Sequence, residues 1–372
     1  MESVGASYLL SNQLLRAAPF DVDVSIEGSP VASTVNRIFQ TLVLFSPQVR
    51  SLTIDAGALS YQFLSTCRGF FQHLQSLSIC DASYYLFEGS ETEDPYHDLT
   101  IDAFAFVPRL KCLWVHALLL QSVALASATL SSIVQFSTPL YSQWTTVFRL
   151  ISQMNKLESL DLLCDCDVDA IDDDPSPVIV PSLCRLTLRD PDRWQNIPVV
   201  WDKVNVSQVT TVVLSYQGEY SVVTYPSLLT SVTSIMELHV HVGEFMDNSD
   251  NHSTQMISFL RCMLNVATFC IRTFFHCSLF FREVSRDSHF LPNLRGISFG
   301  YEGGVDAEGD AQLIEAVYIR ATNPAFRTVK KISLRSSLSY STDLYRQKWD
   351  ALCRNGQVVV EVDDFPFCYF ER

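Results

Sequence analysis

A short apolar pattern recurs along the chain, and it limits the possible folds more than any other feature. It consists of an apolar residue, two residues of any type, an apolar residue, one of any type and a third apolar residue. Recurrence on this scale is typical of repeat proteins. The clearest copies are Leu74-Leu77-Ile79, Leu110-Leu113-Val115, Leu157-Leu160-Leu162, Leu183-Leu186-Leu188, Val209-Val212-Leu214, Ile235-Leu238-Val240 and Leu294-Ile297-Phe299. Val49-Leu52-Ile54, Val266-Phe269-Ile271 and Val329-Ile332-Leu334 also fit, and Leu130-Ile133-Gln135 is a weak copy.

The spacing of the copies is evidence that does not depend on residue type. Copies that start at residues 157, 183, 209 and 235 are each 26 residues apart, and the intervals on either side are 27 and 31. The alternation Leu186-Thr187-Leu188 predicts a strand with one buried face. One such unit buries too little apolar surface to offset its ordering entropy, so the units must stack. We therefore predict an α/β leucine-rich-repeat-like solenoid, with a curved parallel sheet on the concave face and helices or irregular segments on the convex face.

The segments between the predicted strands carry helix and turn signals. Apolar residues at three- and four-residue spacing predict helices over residues 32–45, 140–154 and 253–264. Proline ends a segment just before the next strand begins, because it cannot continue a helix. Four copies have proline two residues before their start, at Pro47, Pro108, Pro181 and Pro292.

Charge and cysteine content exclude several classes of function. The formal net charge of −15 repels phosphates and anionic membranes, so we expect no nucleic-acid partner and no membrane partner. The uncharged stretch 117–148 is interrupted by polar residues and predicts no membrane span. Eleven cysteines without a CxxC pair, and an N-terminus without the basic region of a secretory signal, predict a cytoplasmic or nuclear protein.

Three stretches that combine this proline with a strand resemble the leucine-rich-repeat portion of the large F-box protein families of fungi. They are residues 108–115, 181–188 and 292–299. Residues 349–353, followed by residues 358–362, resemble the closing helix and strand of such chains. The resemblance covers nearly the whole chain. It implies a protein-binding scaffold that acts as the substrate-recognition part of a cullin-type ubiquitin ligase.

The expected organisation departs from that family at the N-terminus. We predict a helical segment over residues 1–19, the repeats over 20–357 and a C-terminal cap over 358–372. An F-box docks on a Skp-family adaptor and would have to precede the repeats, but 19 residues are too few to form one. The resemblance therefore implies the recognition half of such a protein, and we do not expect a Skp-family adaptor among its partners.

Catalytic and calcium-binding motifs are incomplete in this sequence. Ser298 stands in a G-x-S-x-G match, but no histidine follows it, as the order of a hydrolase triad requires. Residues 165–174 begin like a calcium loop, yet Ala170 replaces the turn glycine and Ser176 replaces the bidentate glutamate. We predict no enzyme; the alternative is an enzyme whose site is built from the inserted loops at 82–98, 164–181, 243–252 and 300–310.

One strand carries a spacing that metal sites also use. His239 and His241 are two residues apart and point the same way, and Cys270 has the position of His239 on the next strand. Arg272 would then lie beside His241 and repel a cation. The sequence therefore favours a plain binding surface, and we predict no metal and no cofactor.

The outward positions of the later repeats predict where a partner binds. From residue 183 onward, the third, fifth and seventh positions of the repeats carry five cations against the single anion Glu237, in a chain of net negative charge. In this architecture the outward positions line the concave face, where partners bind. We predict that this face binds an acidic segment of a protein partner. The expected contacts are Arg185, Arg189, Arg272, Lys331 and Arg335, together with His239, His241 and Trp114.

Overall fold

The computed structural model of the chain divides into two compact units, Met1–Leu183 and Cys184–Arg372. It describes residues 2–18, 20–28, 32–56, 61–80, 99–116, 120–140, 144–164, 177–190, 196–216, 233–242, 249–273 and 278–301, and short pieces between residues 315 and 361.

The first unit contains a parallel sheet whose strands pair in chain order. The strands are β1 (Val22–Glu27), β2 (Val49–Asp55), β3 (Ser76–Cys80), β4 (Cys112–Val115), β5 (Gln135–Leu140) and β6 (Ser159–Cys164). The helices among its described residues are α1 (Glu2–Ala17), α2 (Ala32–Phe45), α3 (Ser127–Leu130) and α4 (Trp144–Ile151), with 3₁₀ turns at Ser46–Gln48 and Gln62–Cys67.

The second unit repeats this arrangement. Its strands are β7 (Arg185–Asp190), β8 (Thr211–Tyr216), β9 (Glu237–Val242), β10 (Thr268–Thr273), β11 (Gly296–Tyr301), β12 (Lys331–Arg335) and β13 (Val359–Glu361), and each pairs in parallel with the next. Helices described between them include α5 (Asn196–Lys203), α6 (Ser249–Arg261) and α7 (Ser278–Arg286).

The α/β class and the all-parallel sheet that the sequence predicts are confirmed. Within each unit the second apolar position of one copy lies opposite that of the next copy, as Leu186 does to Val212 and Leu238 does to Phe269. These side chains are buried, because alternate residues of each strand face the core. The predicted helix over residues 32–45 is confirmed as α2.

The weak copy of the pattern predicted at residues 130–135 is wrong, because the true copy begins three residues later. The core positions of this repeat are Ile133, Phe136 and Thr138, and Phe136 pairs with Leu113 of β4. Thr138 fills the third apolar position, where its hydroxyl donates a hydrogen bond of 2.8 Å to the Val115 carbonyl. The polar residue in that position hid the true phase, and the predicted helix over 140–154 shortens to Trp144–Ile151 because β5 continues to Leu140.

A tight turn precedes the strands and explains the recurring proline. The amide of Leu183 donates to the Val180 carbonyl three residues earlier, and the amides of Leu110 and Leu294 make the same bond to Val107 and Leu291. In each turn proline occupies the second residue, where its fixed φ suits a β-turn. The prolines therefore set the angle at which the chain enters the strand.

Side chains just before the strands form a ladder between consecutive repeats. The Asn293 amide donates to the Leu264 carbonyl at 2.9 Å, and the Asn265 amide donates to the Thr233 carbonyl at 2.7 Å. Ser182 makes the equivalent bond of 3.1 Å to the Asn155 carbonyl. These bonds satisfy carbonyls on the turns, at the end of the sheet where the strands begin.

The described helices are short relative to a bilayer. None of the helices in the described ranges is both long and apolar enough to cross a membrane.

Candidate functional site

One face of the second unit's sheet carries rows of side chains that are set by the strand register. Leu186 and Leu188 of β7 face the core, so Arg185, Thr187 and Arg189 lie on the opposite face, here called the outer face. Parallel pairing aligns the outer-face residues of the strands into rows. The row that contains Arg189, here called the arginine row, runs across β7 to β12 through Arg189, Ser215, His241, Arg272, Gly300 and Arg335.

Two further rows run beside the arginine row. The middle row includes Val213, His239, Cys270 and Ser298. The third row, beyond the middle row, includes Arg185, Thr211 and Glu237. Lys331 also belongs to it, because its backbone pairs with Gly296. Seven of the eight residues predicted to bind a partner therefore lie on strands of the second unit.

The eighth predicted residue, Trp114, belongs to the other unit. It lies on β4 between Ser78 of β3 and Ser137 of β5, and its side chain is half-buried. Among the seven residues of the second unit, Arg185 is exposed, and Arg189, His239, His241 and Arg272 are half-buried. Lys331 and Arg335 are defined by their backbone positions on β12.

His239, His241 and Cys270 come together on the outer face. One potential metal-ligand atom from each residue lies within 4.8 Å of the other two. The two imidazole rings stand 6.5 Å apart between centroids and nearly perpendicular, at 85°. Cys270 is buried, with 4% of its surface exposed, although it belongs to the face that points away from the core.

Glu237 fixes the orientation of one of these histidines. Its Oε1 lies 2.7 Å from Nε2 of His239, and its Oε2 accepts a hydrogen bond of 3.1 Å from the Thr211 hydroxyl. Burial raises the pKa of Glu237, but the bonds to His239 and Thr211 and the charge of Arg185 together hold it below its ordinary value. The carboxylate is therefore ionised at neutral pH, and Nε2 of His239 carries the proton that it accepts.

Burial also sets the protonation of the other two residues. It lowers the pKa of His241 to about 3, an effect that the positive charge of Arg272 reinforces. The imidazole of His241 is therefore neutral at physiological pH and keeps a lone pair. Burial raises the pKa of the Cys270 thiol, against a hydrogen bond with Ser298 and the charge of Arg272. The cysteine is thus a protonated thiol when it has no further ligand.

The incomplete hydrolase and calcium-loop motifs of the sequence can be compared with the structure. Ser298 lies in the middle of strand β11, not on the strand-to-helix turn that a nucleophile elbow requires. The acidic stretch 165–174 lies outside the described residues, as do most of the inserted loops from which the alternative enzyme site would be built.

Sequence reasoning missed the role of Glu237, which it counted only as the lone anion of the face. The available signal was the spacing, since Glu237 and His239 are two residues apart and so share a strand face. No protein-family model matches the sequence, and no curated protein matches it either.

Proposed function

We propose that this chain is a protein-binding scaffold of the leucine-rich-repeat type, similar to the substrate-recognition part of an F-box protein of a cullin-type ubiquitin ligase. The proposal is supported by parallel strands that pair in chain order within each unit, since each strand and its return segment then form one repeat. Such scaffolds act by non-covalent binding on the sheet face. The partner is a protein, and the second unit binds an acidic segment of it.

The observation that carries this proposal is the arginine row. It crosses six strands with three arginines and one histidine, and none of its positions is a carboxylate. Strands lie about 4.8 Å apart, so the backbone positions of Arg189 and Arg272 are separated by about 14 Å. Those of Arg272 and Arg335 are separated by about 10 Å. An extended peptide advances about 3.3 Å per residue, so carboxylates three to four residues apart would match these charges.

The surroundings of the row favour an anionic partner. Arg185 and Lys331 lie four residues before Arg189 and Arg335 on the same strands, at the edge of the same face. The anion Glu237 is engaged by His239 and Thr211, so its charge acts within the cluster. Positive charge gathered on one face of a negatively charged protein steers acidic partners to that face.

Binding of a synthetic peptide tests this function. The probe is a fluorescent peptide with glutamate at every fourth position, and fluorescence anisotropy measures its affinity for the full chain. Reversing two charges of the row, Arg189→Glu with Arg272→Glu, is expected to weaken binding at least about tenfold, because attraction becomes repulsion. Arg295→Glu is the matched control, because Arg295 is exposed and lies outside the row. Equal affinities for the double variant and the control would contradict the proposed surface.

Affinity capture from cell lysate tests the ligase relationship. The tagged wild-type chain and the double variant are compared by mass spectrometry of the proteins that they retain. A Skp-family adaptor and a cullin retained by both chains would establish a ligase link that does not use the arginine row. Partners lost only from the double variant would be those that bind the outer face.

A further inference from the structure

His239, His241 and Cys270 form a compact set of nitrogen and sulfur ligands, and we propose that they bind a Zn²⁺ ion. Their ligand atoms lie within 4.8 Å of one another, and side-chain rotations that bring them to about 3.3 to 3.8 Å would give the separations of a tetrahedral site with bonds of about 2.0 to 2.3 Å. This inference goes beyond the proposed function and does not depend on it, because the protein alone supplies the three ligands.

The sheet holds the three residues in fixed relative positions. His239 and His241 are alternate residues of β9, so both lie on its outer face, and Cys270 of β10 pairs directly with His239. Both strands have paired neighbours on each side, β8 and β11. Only side-chain rotations are therefore needed to close the three atoms around an ion, and little ordering entropy is lost on binding.

Glu237 has the position of the carboxylate that supports a metal-bound histidine. It accepts from Nε2 of His239, so Nδ1 is the ring nitrogen that remains to face a metal ion. Metal-ligating histidines generally donate their other ring N–H to a carboxylate or carbonyl, and this bond fixes the tautomer and raises ligand basicity. Thr211 in turn holds the second oxygen of Glu237. A histidine that served only as a contact residue would not require this chain of bonds.

The charges near the cluster favour a divalent ion that binds sulfur. On binding, the Cys270 thiol releases its proton and becomes a thiolate, and the thiolate and the Glu237 carboxylate together balance the two charges of Zn²⁺. Arg272, paired opposite His241, and Arg189, in the same row, oppose a cation by repulsion. This repulsion disfavours ions that are held mainly by charge, such as Ca²⁺ and Mg²⁺, and leaves ions that form strong bonds to thiolate and imidazole.

Three protein ligands leave one position of a tetrahedral ion open. Sites of this kind take water or an anionic group as the fourth ligand. The two arginines beside the cluster favour an anionic group at that position, because they attract negative charge. The chain therefore matches an open zinc site more closely than a closed structural one.

Cobalt substitution tests the site in the purified full chain. After the protein is stripped with a chelator under reducing conditions, Co²⁺ is added, and absorption reports the charge-transfer band of a cobalt–thiolate bond. One equivalent of Co²⁺ is expected to produce the band, and Zn²⁺ is expected to abolish it by competition. Absence of a cobalt–thiolate band at one equivalent would overturn the proposal.

Matched variants separate this site from the other thiols of the chain. Cys270→Ser is expected to remove the band, and His241→Gln to lower Zn²⁺ affinity at least about tenfold. Glu237→Gln is expected to keep the band and lower affinity about 10- to 100-fold, because Glu237 supports a ligand but is not one. The controls are Cys262→Ser and His289→Gln, since both residues are exposed and lie away from the outer face.

These variants also keep the proposal falsifiable if one of them fails to fold. His241 is half-buried, so its replacement decides the question even where Cys270→Ser is unstable. A band that persists in folded Cys270→Ser, or Zn²⁺ affinity that falls as much in the controls as in His241→Gln, would overturn the site. The peptide-binding measurement needs no metal, so failure of the zinc site and failure of the arginine row are separate results.

Discussion

His116 is a fully buried histidine that directly follows β4, and its protonation couples folding to pH. Burial lowers its pKa to about 4, although the nearby charge of Asp55 acts in the opposite direction. In the unfolded chain the same group titrates near 6.5. Between these two values the unfolded state binds more protons than the folded state, so stability is complete above about pH 6.5 and falls as the pH drops toward about 4.

We predict that His116→Gln flattens this dependence. Wild-type protein should lose up to about 3 kcal/mol more of its free energy of unfolding than the variant between about pH 7 and pH 4, because the variant has no imidazole to charge. Urea denaturation at a series of pH values measures the difference. Parallel curves for the two proteins would show that His116 does not contribute.

Arg320 is a buried arginine whose guanidinium joins parts of the second unit that are distant in sequence. Its side chain donates hydrogen bonds to the carbonyls of Val284, Asp287, Phe290 and Leu291. Leu291 has a positive φ of 48°, which a leucine adopts only when its surroundings require it. Burial lowers the pKa of Arg320 to about 10, so the guanidinium is still charged at neutral pH.

We predict that Arg320→Met destabilises the second unit by at least about 3 kcal/mol, because the carbonyls lose charged donors in a buried environment. Arg320→Lys should be intermediate, since an ammonium group cannot reproduce the planar set of donors. Thermal denaturation provides the measurement, and Arg286→Met, at an exposed position of α7, is the control. A loss of stability no larger in Arg320→Met than in the control would contradict this role.

At the scale of the element, strand β5 shows which residues of a repeat occupy the core positions. The sequence pattern gives the third position to Gln135, whereas the structure has Gln135 exposed at the start of the strand and Phe136 buried between Leu113 and Leu160. The difference arises because a hydrogen bond from Thr138 allows a polar residue at a core position. A pattern that reads only polarity cannot recognise such a position.

The two phases predict different outcomes of mutation. Phe136→Ala is expected to cost about 3 to 5 kcal/mol through the cavity that it leaves, and Gln135→Ala should change stability by no more than about 0.5 kcal/mol. Denaturant unfolding of both variants measures the contrast. Equal effects would be inconsistent with the observed phase.

At the scale of the whole molecule, the distribution of charge matters more than its sum. The chain has a net charge of −15, yet the arginine row collects positive charge on one face of the second unit. Raising the ionic strength from about 0.1 M to about 1 M shortens the Debye length from about 10 Å to about 3 Å. An interaction that depends on this row must therefore weaken with salt.

We predict that the glutamate peptide loses affinity for the wild-type chain as salt is added, whereas the Arg189→Glu, Arg272→Glu double variant shows a much smaller change. Anisotropy titrations at several salt concentrations provide the slopes. The same slope for both proteins would place the peptide elsewhere on the chain.

The sequence alone determined the α/β class and the positions of most strands. It could do so because the core positions between packed repeats accept few residue types and recur at a regular spacing. Strand β1 was not predicted, because its residues were not recognised as a copy of the pattern. In the structure its Val24 and Ile26 pair with Leu52 and Ile54 of β2. Only the tertiary structure decided the phase of β5 and the pairing of Glu237 with His239. The sequence alone predicted that Cys270 lies opposite His239, but only the structure showed that ligand atoms of Cys270 and both histidines come within 4.8 Å, because that distance depends on side-chain rotamers. Local pattern encodes what each residue contributes to its own strand, and packing decides which neighbours that residue meets.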